Sequence, residues 1–287
     1  LQNYKKQHLT SVFNQKKTNM NNYLKIALVS LVLASCQSNE NELASLKMNS
    51  KNDSLKDSNG VDNFKYVAEQ FADLRVLRYN VKDFDKLDLK IKTLLYYLSE
   101  AALCGRDINF DQNYKYNLVI RKTLEAILSS DSQEKETEDF KKLEIYAKRF
   151  WFSNGIHHHY NNDKFVPECS QDFFTNVLDQ LNEKELPLLS NQTKSDFIKF
   201  ITPLIFDLKI ASKKVSLDSK TDLVKSSSVN FYEGVNQKEV MDFYSAQVNK
   251  NSDKNPMYGL NSKLIKENGK LVEKIWMIGG MYSPAIE

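Results

Sequence analysis

The sequence is poor in cysteine, glycine and proline. Three cysteines in 287 residues, Cys36, Cys104 and Cys169, are too few for a disulfide scaffold in a chain of this size. Eight glycines and five prolines exclude collagen-like repeats, propellers and glycine-rich linkers. There is no Gly-x-Gly-x-x-Gly and no phosphate loop, so nucleotide binding has no visible cradle, and no Gly-x-Ser-x-Gly elbow to expose a serine nucleophile. Nor is there a basic surplus in the folded part. The first 36 residues hold Lys5, Lys6, Lys16, Lys17 and Lys25 and no acid, so the formal charge of +3 becomes 35 basic against 37 acidic residues beyond them. Phosphate-driven binding needs Lys and Arg in excess on one face, which excludes a nucleic-acid partner. What is abundant is apolar surface, at 41% hydrophobic and 11% aromatic, enough for one or two well-filled cores.

The amino-terminal region reads as an address. Residues 1–19 precede Met20 and carry no acid, which marks them as an upstream, non-native extension. Residues 20–36 form a lipoprotein signal peptide: Lys25, the apolar run Ile26 to Leu33, and the small residues Ala34 and Ser35 before Cys36. The run is too short to span a bilayer. Leu33-Ala34-Ser35-Cys36 resembles a lipobox, whose cysteine is acylated and becomes the mature terminus. Residues 37–63 are mostly Asn, Ser, Lys, Glu and Asp, a composition that predicts a flexible tether. Together these imply a domain anchored by lipid at the cell envelope, on its periplasmic or outer-membrane face.

Residues 64–287 predict a mostly α lobe with a small, late β element, an α+β fold. Ile91, Leu94, Leu95, Leu98, Ala101 and Ala102 fall at helical spacing, with Asp88 as N-cap, Gly105 as the stop and Cys104 as a small buried core residue. Tyr116, Ile120, Leu124 and Ile127 repeat the stripe, as do Phe140, Leu143, Ala147 and Phe150. So do Phe173, Phe174, Val177, Leu178 and Leu181 after Ser170, and Phe197, Ile198, Ile201 and Ile205 after Thr193. Asn236 and Glu239 form a capping box that opens a helix through Val240, Phe243 and Tyr244. Leu260–Ile265 and Leu271–Ile278 flank Asn268-Gly269, the pair that a type I′ hairpin turn demands. Ser283-Pro284 reads as a helix entry three residues before the last residue given. A single turn there has no reason to form, so the chain is expected to be truncated.

Chemistry-bearing residues gather in one place. The histidines are His8, His157, His158 and His159, and three adjacent imidazoles cannot supply the one-turn spacing of a helical zinc-peptidase site. On an extended segment, His157 and His159 would share a face and could hold a metal with Glu168 or Cys169. Glu134 to Asp139 reads as a solvated charged loop. From Trp151 to Pro167 the chain crowds aromatic rings, imidazoles and amides into a loop after a helix that Asn154-Gly155 breaks, and such loops concentrate ligand contacts.

At these residues the sequence resembles a known family. Phe150-Trp151-Phe152-Ser153-Asn154-Gly155, His157-His158-His159-Tyr160 and Lys164-Phe165-Val166-Pro167 look like the first half of bacterial dipeptidyl peptidase III. Leu95 to Asp107, Asp111-Gln112-Asn113, Tyr258 to Ser262 and Lys266 to Lys270 are similar too, so the resemblance covers about 66–287. It implies a two-lobed zinc peptidase that removes dipeptides from the free N-terminus of oligopeptides, bound as an added strand between the lobes. The family's zinc motif, His-Glu-x-x-Gly-His or a near variant, is absent here and belongs to the other lobe. The resemblance therefore implies the N-terminal lobe alone: a helical lobe with the beginning of a small β-barrel, a missing C-terminal catalytic lobe as partner, and zinc bound outside this fragment. No family catalytic residue maps onto it. Asn154, Gly155, His157, His159 and Tyr160 are the candidates for the substrate cleft. The alternative is a non-catalytic, lipid-anchored peptide-binding module.

Overall fold

The computed structural model describes residues 64–131, 133–247 and 262–287. The signal peptide, Cys36, the tether, and Leu260 and Asn261 at the head of the first β run lie outside the described residues. Over the described residues the fold is mixed α+β, about half helical with two small sheets.

A hairpin that the sequence pattern did not announce comes first. Strands β1 (Val67–Phe71) and β2 (Leu74–Leu77) pair antiparallel around a tight turn in which Ala72 takes a positive φ of 47°. Helix α1 (Leu89–Cys104) follows, with the Asp88 carboxylate accepting the Ile91 N–H at 2.9 Å. The helix stops at Gly105 as expected, though not in a left-handed conformation. Gly105 sits at φ −78°, ψ −3°, and the backbone bends directly into α2 (Arg106–Asn113).

The main core is built by α3 (Asn117–Ser129), α4 (Glu138–Ser153), α5 (Gln171–Gln180) and α6 (Lys194–Phe206). Thr137, Ser170 and Thr193 cap the last three, each side-chain oxygen accepting the N–H three residues on. Ile120, Leu124, Ile127, Leu143, Phe150, Phe174, Leu178, Phe197, Ile201 and Ile205 are fully buried together, and these are residues of the predicted stripes. The segment expected to be a solvated loop is instead a helix entry. A 3-10 turn over Gln133–Glu136 leads to Thr137, and Glu138 and Asp139 occupy the first turn of α4, where carboxylates face the positive end of the helix dipole.

A smaller core follows α7, a single turn (Leu223–Ser226). Strand β3 (Tyr232–Glu233) runs parallel to β4 (Ser262–Glu267), which pairs antiparallel with β5 (Lys270–Ile275). The hairpin is the predicted one, with φ of 49° at Asn268 and 79° at Gly269. Helix α8 (Gln237–Gln247) opens on the predicted capping box: Asn236 Oδ1 accepts the Glu239 N–H at 2.9 Å, and Glu239 returns the bond at 3.0 Å. Val235, Val240 and Leu264 are its buried centre. Among the described residues no sheet closes into a barrel. The last turn, α9 (Ser283–Ile286), does form. Tyr282, at φ 60°, precedes it, and Ser283 is its first residue rather than its cap. Ser283 Oγ accepts the Gly279 N–H and donates to the Glu287 carboxylate, both at 2.7 Å, which supplies the stability that length alone does not.

Helix α1 departs most from expectation. Its apolar stripe exists, but no residue of the helix is buried: Leu89, Leu94, Tyr97 and Leu98 are each more than half exposed. Cys104, expected in the core, is exposed. Periodicity says which residues share a face and not whether another element covers it. No described helix is long and apolar enough to cross a membrane. The contrast between stripes is measurable. Leu124→Ala should destabilise the chain by about 3 kcal/mol and Leu94→Ala by less than ~0.5 kcal/mol, read as urea unfolding midpoints. Equal losses would place α1 in a core.

Candidate functional site

The loop from Asn154 to Pro167 is fixed from its inner side. Asn154 takes φ 52° as α4 ends, and the Gly155 N–H reaches back to the Phe150 carbonyl at 3.0 Å, a left-handed closure of the helix. Gly155 then takes φ 144°, and a Cβ added there would lie 2.1 Å from Asn117 Nδ2. Asn117 is fully buried. Its Nδ2 donates to the Phe110 carbonyl at 3.0 Å and the Asn154 carbonyl at 3.4 Å, and its Oδ1 accepts the Ile156 N–H at 3.4 Å. Asn113 Nδ2 adds a bond to the Asn154 carbonyl at 2.9 Å. Asn154 and Gly155 thus join the loop to α2 and α3 through their backbone. Sequence reading missed Asn117, although a signal existed: it occupies the apolar stripe of Ile120, Leu124 and Ile127, where an amide needs buried partners.

The histidine run divides between two environments. His157 is 2% exposed, and its Nε2 donates to the Ala211 carbonyl at 2.7 Å, which sets the tautomer and leaves Nδ1 buried without a partner among the described residues. Burial, only partly offset by that bond, pulls its pKa down to about 4. The backbone doubles back beside it, His157 pairing with Lys164 and Asp163 with Lys213. Lys164 is buried as well. Its ammonium donates to the Asp207 and Ile210 carbonyls just past the end of α6, and burial lowers its pKa to about 8. His158 turns its Nε2 towards Asp73 in the first hairpin, at 3.7 Å.

His159 lies in an aromatic cluster. Its ring centroid is 5.0 Å from Phe152, 4.4 Å from His158 and 4.1 Å from Tyr160, which is 74% exposed. Desolvation first, and the neighbouring His158 second, lower its pKa. The expectation that His157 and His159 share a face for a metal therefore fails: one imidazole is spent on a backbone carbonyl inside, while the other packs against Phe152 and Tyr160. Cys169 is buried, with its thiol pushed up to about 11 by burial, and Glu168 is exposed. Among the described residues no three His, Cys, Asp or Glu side chains are grouped to hold a metal ion. Of the five candidates, Asn154, Gly155 and His157 are framework, and His159 and Tyr160 belong to the outward cluster of rings with Phe152.

Neither the known protein families nor the curated proteins contain a match to this chain.

Two outcomes follow from this geometry. Gly155→Ala should cost about 3 kcal/mol through backbone strain and the clash with Asn117, and Asn117→Ala about 2 kcal/mol through lost buried bonds. The double variant should lose at least ~1 kcal/mol less than their sum, because removing the amide opens room for the methyl group; a denaturant double-mutant cycle reads this, and strict additivity would refute the contact. His157 has a folded pKa below its unfolded value, so the unfolded chain alone takes up a proton as pH falls through 6.5. Stability should therefore fall between pH 6.5 and about 4, by roughly 3 kcal/mol if His157 acts alone. His157→Gln, compared with wild type in thermal unfolding across that range, should flatten this part of the profile.

Proposed function

We propose that this chain is the peptide-holding lobe of a two-lobed zinc dipeptidyl peptidase of the dipeptidyl peptidase III type, anchored at the cell envelope through acylated Cys36. In this reading it lacks the catalytic half. Zinc, held by the missing lobe, would polarise the scissile carbonyl and acidify a water, and this lobe supplies one wall of the cleft. The observation that carries the reading is the bond from Asn113 to the Asn154 carbonyl at 2.9 Å. It joins two stretches on which the resemblance rests, Asp111-Gln112-Asn113 and Phe150 to Gly155, which lie 41 residues apart.

Two further features fit. The rings of Phe152, His159 and Tyr160 offer an aromatic wall to an extended peptide. Strand β5 stands at the edge of the sheet order β3-β4-β5, as a strand-adding peptide requires. On this reading the hairpin of β4 and β5 begins a small β-barrel that the rest of the protein completes.

The coding DNA beyond codon 287 decides between the readings. An in-frame continuation encoding His-Glu-x-x-Gly-His is expected, and a stop codon would replace the peptidase by a non-catalytic, lipid-anchored binding module. The 287-residue chain with added zinc should release no dipeptide from a dipeptidyl arylamide. Release at any rate above the zinc blank would sink the proposal.

A further inference from the structure

A cavity of about 460 Å³ opens between the end of α2, the segment after α6, and the stretch from α7 to β3. Three lysines line it, Lys115, Lys209 and Lys225, and no carboxylate does. None of the three ammonium groups forms an ion pair among the described residues. Of the acids on the adjoining segments, Glu233 pairs with Lys263 and lies within electrostatic reach of Lys115, Asp163 pairs with Lys213, and Asp111 accepts from Asn230 and Tyr282. Asp222 accepts the N–H groups of Val224, Lys225 and Gln237, and Glu239 pairs with Lys266. Glu233 offsets part of the charge of Lys115, and Asp222 and Glu239 part of that of Lys225, but with no carboxylate in the lining the concavity keeps a positive field that suits a small anion.

A second observation, independent of charge, points the same way. Tyr114 lines the cavity and is only 6% exposed, yet its hydroxyl has no hydrogen-bond partner among the described residues. Its ring is held edge-on against His157 at 6.3 Å and Tyr116 at 5.4 Å. The hydroxyl is not among the fully buried polar atoms and so keeps contact with solvent as an unspent donor, and an oxyanion in the cavity would provide an acceptor. Burial raises its pKa to about 12, so the hydroxyl remains a donor at neutral pH. The volume falls within the range of small-molecule sites and exceeds what a bare carboxylate or phosphate fills. Val224, Val229 and Tyr232 supply an apolar and aromatic wall for the remainder.

We propose that this cavity binds a small organic anion, its carboxylate or phosphate held by Lys115, Lys209, Lys225 and the Tyr114 hydroxyl, its apolar body against Val224, Val229 and Tyr232. The site stands independently of the peptidase reading.

Calorimetric titration of the whole chain at low ionic strength with benzoate, phenyl phosphate and benzamide tests it. At least one anion should bind saturably at one site, and the uncharged benzamide roughly tenfold more weakly or not at all. Tighter phenyl phosphate would identify a phosphate ligand, and equal or tighter benzoate a carboxylate. Replacing Lys209 and Lys225 together by alanine should weaken the anion by about tenfold. Both side chains are exposed, so the melting temperature should stay unchanged. Tyr114→Phe should weaken the anion by roughly three- to tenfold as an independent variant. The proposal is overturned if neither anion binds, if benzamide binds as well as the anions, or if the lysine and tyrosine variants bind like wild type.

Discussion

The amide of Asn117 is the point on which the arrangement of the main helical core and its loop turns. It sits fully buried beside a glycine that has no room for a side chain, and it holds backbone groups of α2, of the end of α4 and of the loop beyond. A buried amide is tolerated only when its donors and acceptor are satisfied, and here the partners come from three separate stretches of chain. Those bonds set the angle at which the backbone leaves α4. Every later residue of the histidine loop is placed by that departure.

From there, the loop sorts its polar groups into an inner and an outer set. Inside, His157 donates to Ala211 and Lys164 donates to two carbonyls beyond α6, so both spend their nitrogen donors on backbone groups. Burial weakens the basicity of each, which keeps His157 neutral at physiological pH. Towards the surface, His159 meets Phe152 edge-on and Tyr160 at a tilt, and Tyr160 stays exposed. The inner set ties the loop to the segment beyond α6 through backbone carbonyls. The same inner face closes the back of the lysine-lined cavity, since Tyr114 packs on His157 and Ala211 lines it.

Much of the fold was legible beforehand because its signals are local. Thr137, Ser170, Thr193 and Asn236 cap helices through bonds that reach only three residues. Asn268-Gly269 turns a hairpin because both residues tolerate a positive φ. The stripes through Ile120, Leu143, Phe174 and Ile201 reach the core as their spacing implied. The stripe through Leu94 and Leu98 has the same spacing and stays exposed. Its apolar residues are spread more evenly around the helix than in α3 to α6, a local difference that spacing alone does not report. The first hairpin was missed for a related reason: Val67 to Leu77 is too short and too mixed in polarity to give a strong alternating pattern.

For the site, composition alone located the crowded loop and the residue pair that breaks α4. It also fixed what the chain lacks, the spaced histidines and glutamate of a zinc helix, because that absence depends on order along the chain and not on folding. What each loop residue does was decided only in three dimensions. Asn154, Gly155 and His157 became framework because Asn113, Asn117 and Ala211, between 37 and 54 residues away, supplied their partners. Burial and long-range hydrogen bonds are properties of distance in space, and no local pattern encodes which distant carbonyl an imidazole will meet.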